Sequence, residues 1–83
     1  MTDVQAATIV DARGMQCPMP IALANKAIRA LQPGELIKVL STDKGSVKDF
    51  PAWAEDTGNE LLSTTHEDGA FVFYIRRGTD DDI

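Results

Sequence analysis

The chain has 83 residues, of which 43% are hydrophobic, with 13 acidic against 8 basic side chains and a formal net charge of −5. That length holds one small domain and excludes two; no apolar run reaches membrane-spanning length, and the acidity argues against nucleic-acid binding by the surface as a whole. A single cysteine allows no internal disulfide, and no charged leader with an apolar stretch opens the chain, so a cytoplasmic location is expected.

The elements follow in chain order. Thr8–Ala12 carries Ile9 and Val10 ahead of a turn signal at Gly14, which predicts a short strand. From Pro18 to Leu31 the apolar residues Ile21, Ala24, Ala27, Ile28 and Leu31 recur at helical spacing. This predicts an amphipathic helix, ended by Pro33-Gly34. Glu35 to Thr42 contains the run Leu36-Ile37-Lys38-Val39-Leu40, which reads as a strand buried within a sheet. Strand, helix, strand in that order implies a parallel pair with a right-handed crossover.

Asp43-Lys44-Gly45 is the next turn, and Ser46 with Asp49 resembles a capping box opening a second helix that holds Val47, Phe50, Trp53 and Ala54. Pro51 predicts either a kink or a tight first turn after which the helix restarts. Thr57-Gly58-Asn59 closes that helix. Glu60–His66 and Ala70–Arg76 read as strands joined by Glu67-Asp68-Gly69, a hairpin signal. The order β-α-β-α-β-β predicts a two-layer α/β (α+β) sandwich: a four-stranded mixed sheet with both helices on one face. We expect a single domain with its core at about 8–78 and a frayed acidic tail over 79–83.

The chemistry concentrates at Gly14-Met15-Gln16-Cys17-Pro18-Met19-Pro20. A proline at the first helical position needs no backbone partner, so Pro18 and Pro20 mark a helix beginning just after Cys17. Cys17 then sits at or beside an N-cap, where the helix dipole favours thiolate, and a thiol pKa below the free value of about 8.5 is expected. Arg13 is close enough in sequence to support that thiolate. A lone cysteine is by default a small buried hydrophobe, but a polar loop entering a helix is where reactive groups sit.

Other side chains have plainer readings. His66, beside Glu67 and Asp68, reads as a solvated strand-end residue; Trp53, Phe71 and Phe73 read as sheet and core residues rather than a stacking platform. Met15 and Met19 either present flexible thioethers to partners or plug the core. No metal-ligand cluster or phosphate-binding glycine loop occurs, so neither metal nor cofactor is expected.

The blocks Asp11-x-x-Gly14-x-x-Cys17-Pro18-x-Pro20, Pro33-Gly34-Glu35, Asp43-x-x-Ser46-x-x-Asp49-Phe50-Pro51 and Ile75-Arg76-Arg77 resemble those of the TusA/SirA-like sulfur carriers, over nearly all of residues 8 to 78. The resemblance implies a sheet of order 1-2-4-3 with strand 4 antiparallel to the rest, and a persulfide carried on Cys17. It implies a carrier that works with partner proteins rather than a stand-alone enzyme. A cysteine desulfurase or rhodanese-like protein would be the donor, and the acceptor would serve tRNA thiolation, molybdenum-cofactor synthesis or sulfur oxidation. Lys44 and Lys48, in the second block, would join Arg13, Met15, Gln16 and Met19 in the partner-binding face; Gly14, Pro18 and Pro20 would shape the loop. The alternative is a non-catalytic regulatory or RNA- or protein-binding module in which Cys17 is incidental.

Overall fold

The computed structural model describes residues 6–16 and 18–78; Cys17 and the acidic tail 79–83 lie outside the described residues. Its elements are β1 (Thr8–Ala12), α1 (Met19–Arg29), β2 (Leu36–Ser41), α2 (Ser46–Thr57), β3 (Glu60–Glu67) and β4 (Ala70–Arg76). The sheet runs β1-β2-β4-β3. β1 and β2 are parallel, while β4 is antiparallel to both of its neighbours, β2 and β3. The α+β architecture expected from the sequence pattern and the 1-2-4-3 order implied by the resemblance are both present.

One face of the sheet makes the core. Val10, Ile37, Val39, Phe73 and Ile75 point from it toward Ala24 and Ile28 of α1 and Phe50, Trp53 and Ala54 of α2. Phe50 is its hinge point, stacked on Phe73 with ring centroids 4.5 Å apart and meeting Trp53 edge-on at 5.7 Å. Because both helices lie on this face, β2 is buried on one side only: Ile37, Val39 and Ser41 are covered while Leu36, Lys38 and Leu40 are half-exposed. The apolar run that suggested burial on both faces is interrupted by Lys38, whose Nζ lies 5.8 Å from the Tyr74 ring centroid on the open face.

The second helix departs from its expected start. Gly45 is the N-cap, without any side-chain cap, and Ser46 is already helical and buried. Its hydroxyl is 2.8 Å from that of buried Ser41, a partner that a local capping pattern cannot foresee. Pro51 lies inside one continuous helix. It is preceded by a tight first turn, in which Ser46, Val47 and Lys48 donate N–H bonds to carbonyls three residues back, at Asp43, Lys44 and Gly45. The helix therefore does not restart at Pro51, although the tight turn is there. The β3–β4 hairpin closes with Asp68 and Gly69 both at positive φ, 52° and 80°, as a two-residue type I′ turn demands.

At the other end of the molecule the two helix C-termini are tied to the exit of β4. Arg77 Nη1 donates to the carbonyls of Leu31 (2.6 Å), Arg29 (3.0 Å) and Ile28 (3.3 Å), capping α1. Gly78 donates its N–H to Asn59 Oδ1 at 3.0 Å. A Cβ on Gly78 would stand 1.8 Å from the Gly58 carbonyl oxygen, so only glycine permits this approach.

Candidate functional site

β1 and β2 leave the sheet side by side, with Ala12 opposite Ser41. The loops that follow them, and the helix starts they feed, therefore share one sheet edge, the place where open α/β sheets assemble sites. The loop from Arg13 to Pro18 begins with a four-residue turn closed by Met15 N–H donating to Ala12 O at 3.1 Å. Gly14 is its third residue, at φ 82°, a conformation that glycine adopts without strain. On the far side of Cys17, Met19 N–H donates to Gln16 O at 2.9 Å, drawing the flanks of that position together.

The helix start has the form its prolines predict, with Pro18 as N-cap and Pro20 in the first turn. Pro20 is fully buried, whereas Pro18 is exposed. The two prolines have no N–H and that of Met19 is taken by Gln16, so among the described residues the first turn offers an anion at most the Ile21 N–H. What remains for an anion here is chiefly the field of the eleven-residue helix. No acidic side chain in the first turn opposes it, and Lys26 and Arg29 occupy the last turn.

Arg13 does not stand alone. Its Nε and Nη2 each donate to the Asp11 carboxylate at 2.8 Å, and its backbone N–H donates to Oδ1 at 3.2 Å. These bonds hold the Asp11 carboxyl at about 2, well below its ordinary 3.8. The guanidinium charge is thus balanced by Asp11, which limits what Arg13 lends to a thiolate further along the loop.

Around the loop the surface is open, with apolar and basic side chains side by side. Met15 is 37% exposed and Met19 47% exposed, with Gln16 exposed between them. These methionines are presented to solvent rather than used as core plugs. Lys44 and Lys48 are exposed at the start of α2, and between them Val47 adds a further apolar side chain, 41% exposed. His66 is exposed on β3, the edge strand opposite β1, stacked on Phe71 at 4.7 Å. It is remote from the loop. Trp53 and Phe73 are buried and Phe71 half-buried, as core and sheet residues. No group of three His, Cys, Asp or Glu side chains among the described residues is placed to hold a metal.

The two loops meet in a contact that sequence reasoning missed: Gly14 N–H donates to Thr42 Oγ1 at 2.8 Å. Its signal was available in the parallel pairing, which sets the residue after β2 beside the residues after β1. The pairing of Asp11 with Arg13, two positions apart, was likewise open to local inspection.

Residues 8–77 match the family model described as Sulfurtransferase TusA. The Sulfur carrier protein TusA of Allochromatium vinosum is 47% identical over 68 residues, which span 82% of this chain and 90% of that protein. The Sulfur carrier protein TusA of Pseudomonas putida F1 is 36% identical over 80 residues, 96% of this chain and 100% of that one. The crystal structure of the SirA-like protein from Desulfitobacterium hafniense is similar with a TM-score of 0.70 at 29% identity, covering 87% of this chain and 99% of that one.

Proposed function

Since the chain belongs to the TusA family and is a sulfur carrier, we propose that Cys17 holds the sulfur as a persulfide and passes it to a partner protein. The Cys17 thiolate attacks the outer sulfur of a persulfide on the donor, a cysteine desulfurase or rhodanese-like protein. The new S–S bond forms at Cys17 as the donor's S–S bond breaks, and the donor cysteine departs as a thiolate. An acceptor thiolate then attacks the same outer sulfur and Cys17 is released in turn. One sulfane sulfur moves in each step and no outside oxidant or reductant is consumed.

The observation that supports this reading is the exposure of every described neighbour of Cys17: Met15, Gln16 and Pro18 on the loop after β1, and Met19 at the start of α1, all face solvent. A donor and an acceptor must each reach the same sulfur, and exposed flanking residues suit that better than an enclosed pocket. Two methionines give the loop a surface that re-fits to different partners. Lys44 and Lys48 add positive charge to an otherwise acidic protein and favour partners with an acidic rim.

Incubating the chain with a cysteine desulfurase and L-cysteine, or with a persulfidated rhodanese-like protein, then taking an intact mass, tests the reading. One added sulfur atom on the wild type and none on Cys17→Ser is expected. Uptake by Cys17→Ser equal to that of the wild type, or no uptake by the wild type from either donor class, would overturn it.

A further inference from the structure

We infer that Thr42 is a positioning residue for sulfur transfer: its hydroxyl holds Gly14 and thereby fixes the loop that carries Cys17. The inference rests on the reading of Cys17 as the sulfur-bearing residue. Three observations carry it. The Gly14 N–H to Thr42 Oγ1 bond, 2.8 Å long, spans 28 positions of sequence and joins the loop after β1 to the loop after β2. Gly14, at φ 82°, has no side chain of its own to pack, and its neighbour Arg13 is turned back onto Asp11 of β1 and not across to the second loop. The base from which Thr42 acts is stiff. The residue before it, Ser41, is fully buried with its hydroxyl on Ser46, and the residue after it, Asp43, donates its N–H to Ser41 Oγ at 3.2 Å. A β-branched side chain on such a base has little χ1 freedom, so the acceptor oxygen is held in place before Gly14 reaches it.

The consequence is that the loop bearing Cys17 moves as one body with the loop that bears Lys44 and leads into α2, where Lys48 lies. A partner protein that seats on the second loop then finds the sulfur at a set distance, and transfer between two protein thiols depends steeply on that distance. A small reagent needs no such register. This difference separates a positioning role from a merely structural one.

The experiment compares wild type, Thr42→Val, which keeps the shape and loses the acceptor, and Thr42→Ser, which keeps the acceptor. Each is loaded from a persulfidated cysteine desulfurase under single-turnover conditions, alkylated with iodoacetamide, and followed for exchange of the Gly14 amide proton. Thr42→Val should load about 5- to 100-fold more slowly, the range expected when a reacting atom is displaced by up to an ångström. Its Gly14 amide should exchange faster, with its alkylation rate within about twofold of wild type because iodoacetamide needs no docking. Thr42→Ser should restore loading and protection together. Loading of Thr42→Val at the wild-type rate, or an equal defect in Thr42→Ser, would refute the role of the hydroxyl. A wild-type chain that takes no sulfur on Cys17 overturns both readings, and is told apart from the first failure because no variant is needed to see it.

Discussion

Replacing Arg77 with methionine removes the guanidinium while keeping much of the apolar stem. The perturbation acts at the end of α1, where Nη1 serves three carbonyls at 2.6, 3.0 and 3.3 Å. One nitrogen has two hydrogens, so at most two of these bonds act at full strength. A hydrogen bond from a charged donor contributes about 1.5–3 kcal/mol, and a cation at a helix C-terminus about 0.3–1 kcal/mol. The carbonyls near exposed Arg29 and Ala30 can take water in the variant, which offsets part of the loss. We therefore expect a cost of about 2 kcal/mol, out of a total near 4–12 kcal/mol for a chain of this length. The midpoint of thermal unfolding should fall by about 8–16 °C. Urea unfolding followed by the fluorescence of Trp53, the chain's one tryptophan and 9% exposed when folded, measures it directly. Arg77→Lys should lie between, since it keeps the charge and loses the planar fork. A loss below about 0.5 kcal/mol in Arg77→Met, within the range of an ordinary surface substitution, would refute the cap.

Gly78→Ala should cost about 2–3 kcal/mol in the same urea assay, because its Cβ meets the Gly58 carbonyl and forces β4 away from Asn59. In Asp11 the carboxyl titrates at about 2 rather than 3.8, so the support it gives Arg13 is complete above about 3.8 and lost as pH falls through about 2. An NMR titration should show that midpoint, and Arg13→Gln should return it toward 3.8. Pro20→Ala, at a fully buried position, should lower stability by about 1–2 kcal/mol through the void it leaves. Desulfurase loading should fall further than the unfolded fraction accounts for. Reversing charge at Lys44 and Lys48 together should weaken binding to an acidic desulfurase and flatten its dependence on salt, read at two ionic strengths. Unchanged affinity and slope would confine the interface to the loop around Cys17.

What was legible in the sequence was local. Gly14 at a strand exit, Pro18 and Pro20 at a helix start, Gly58 at a helix end and Asp68-Gly69 in a hairpin each act on their own few residues, and each appears where the pattern put it. The methionines were ambiguous because helical spacing says which face a residue takes but not whether a neighbour covers it. The remaining contacts join different elements, whether near or far in sequence. Ser46 read as a cap because Ser41 belongs to another element, and Arg77 read as part of a closing motif because its carbonyl partners lie 46 to 49 positions earlier. Thr42 is the same case at the site itself.

The strand order has a consequence for how the molecule is assembled. β4 is the last strand in the sequence and lies second from the edge, between β2 and β3. Until it arrives, β3 has no strand to pair with and β2 is paired only with β1. The aromatic stack of Phe50 likewise waits for Phe73. An N-terminal fragment ending before residue 70 therefore holds a parallel pair and two helices but no closed core, with the free edge of β2 bared to other chains. The rate-limiting event in folding should be insertion of the C-terminal hairpin, whose pairing with β2 brings together residues some 30 to 40 positions apart. A carrier cut short by even one strand is thus an aggregation hazard rather than a weakened carrier.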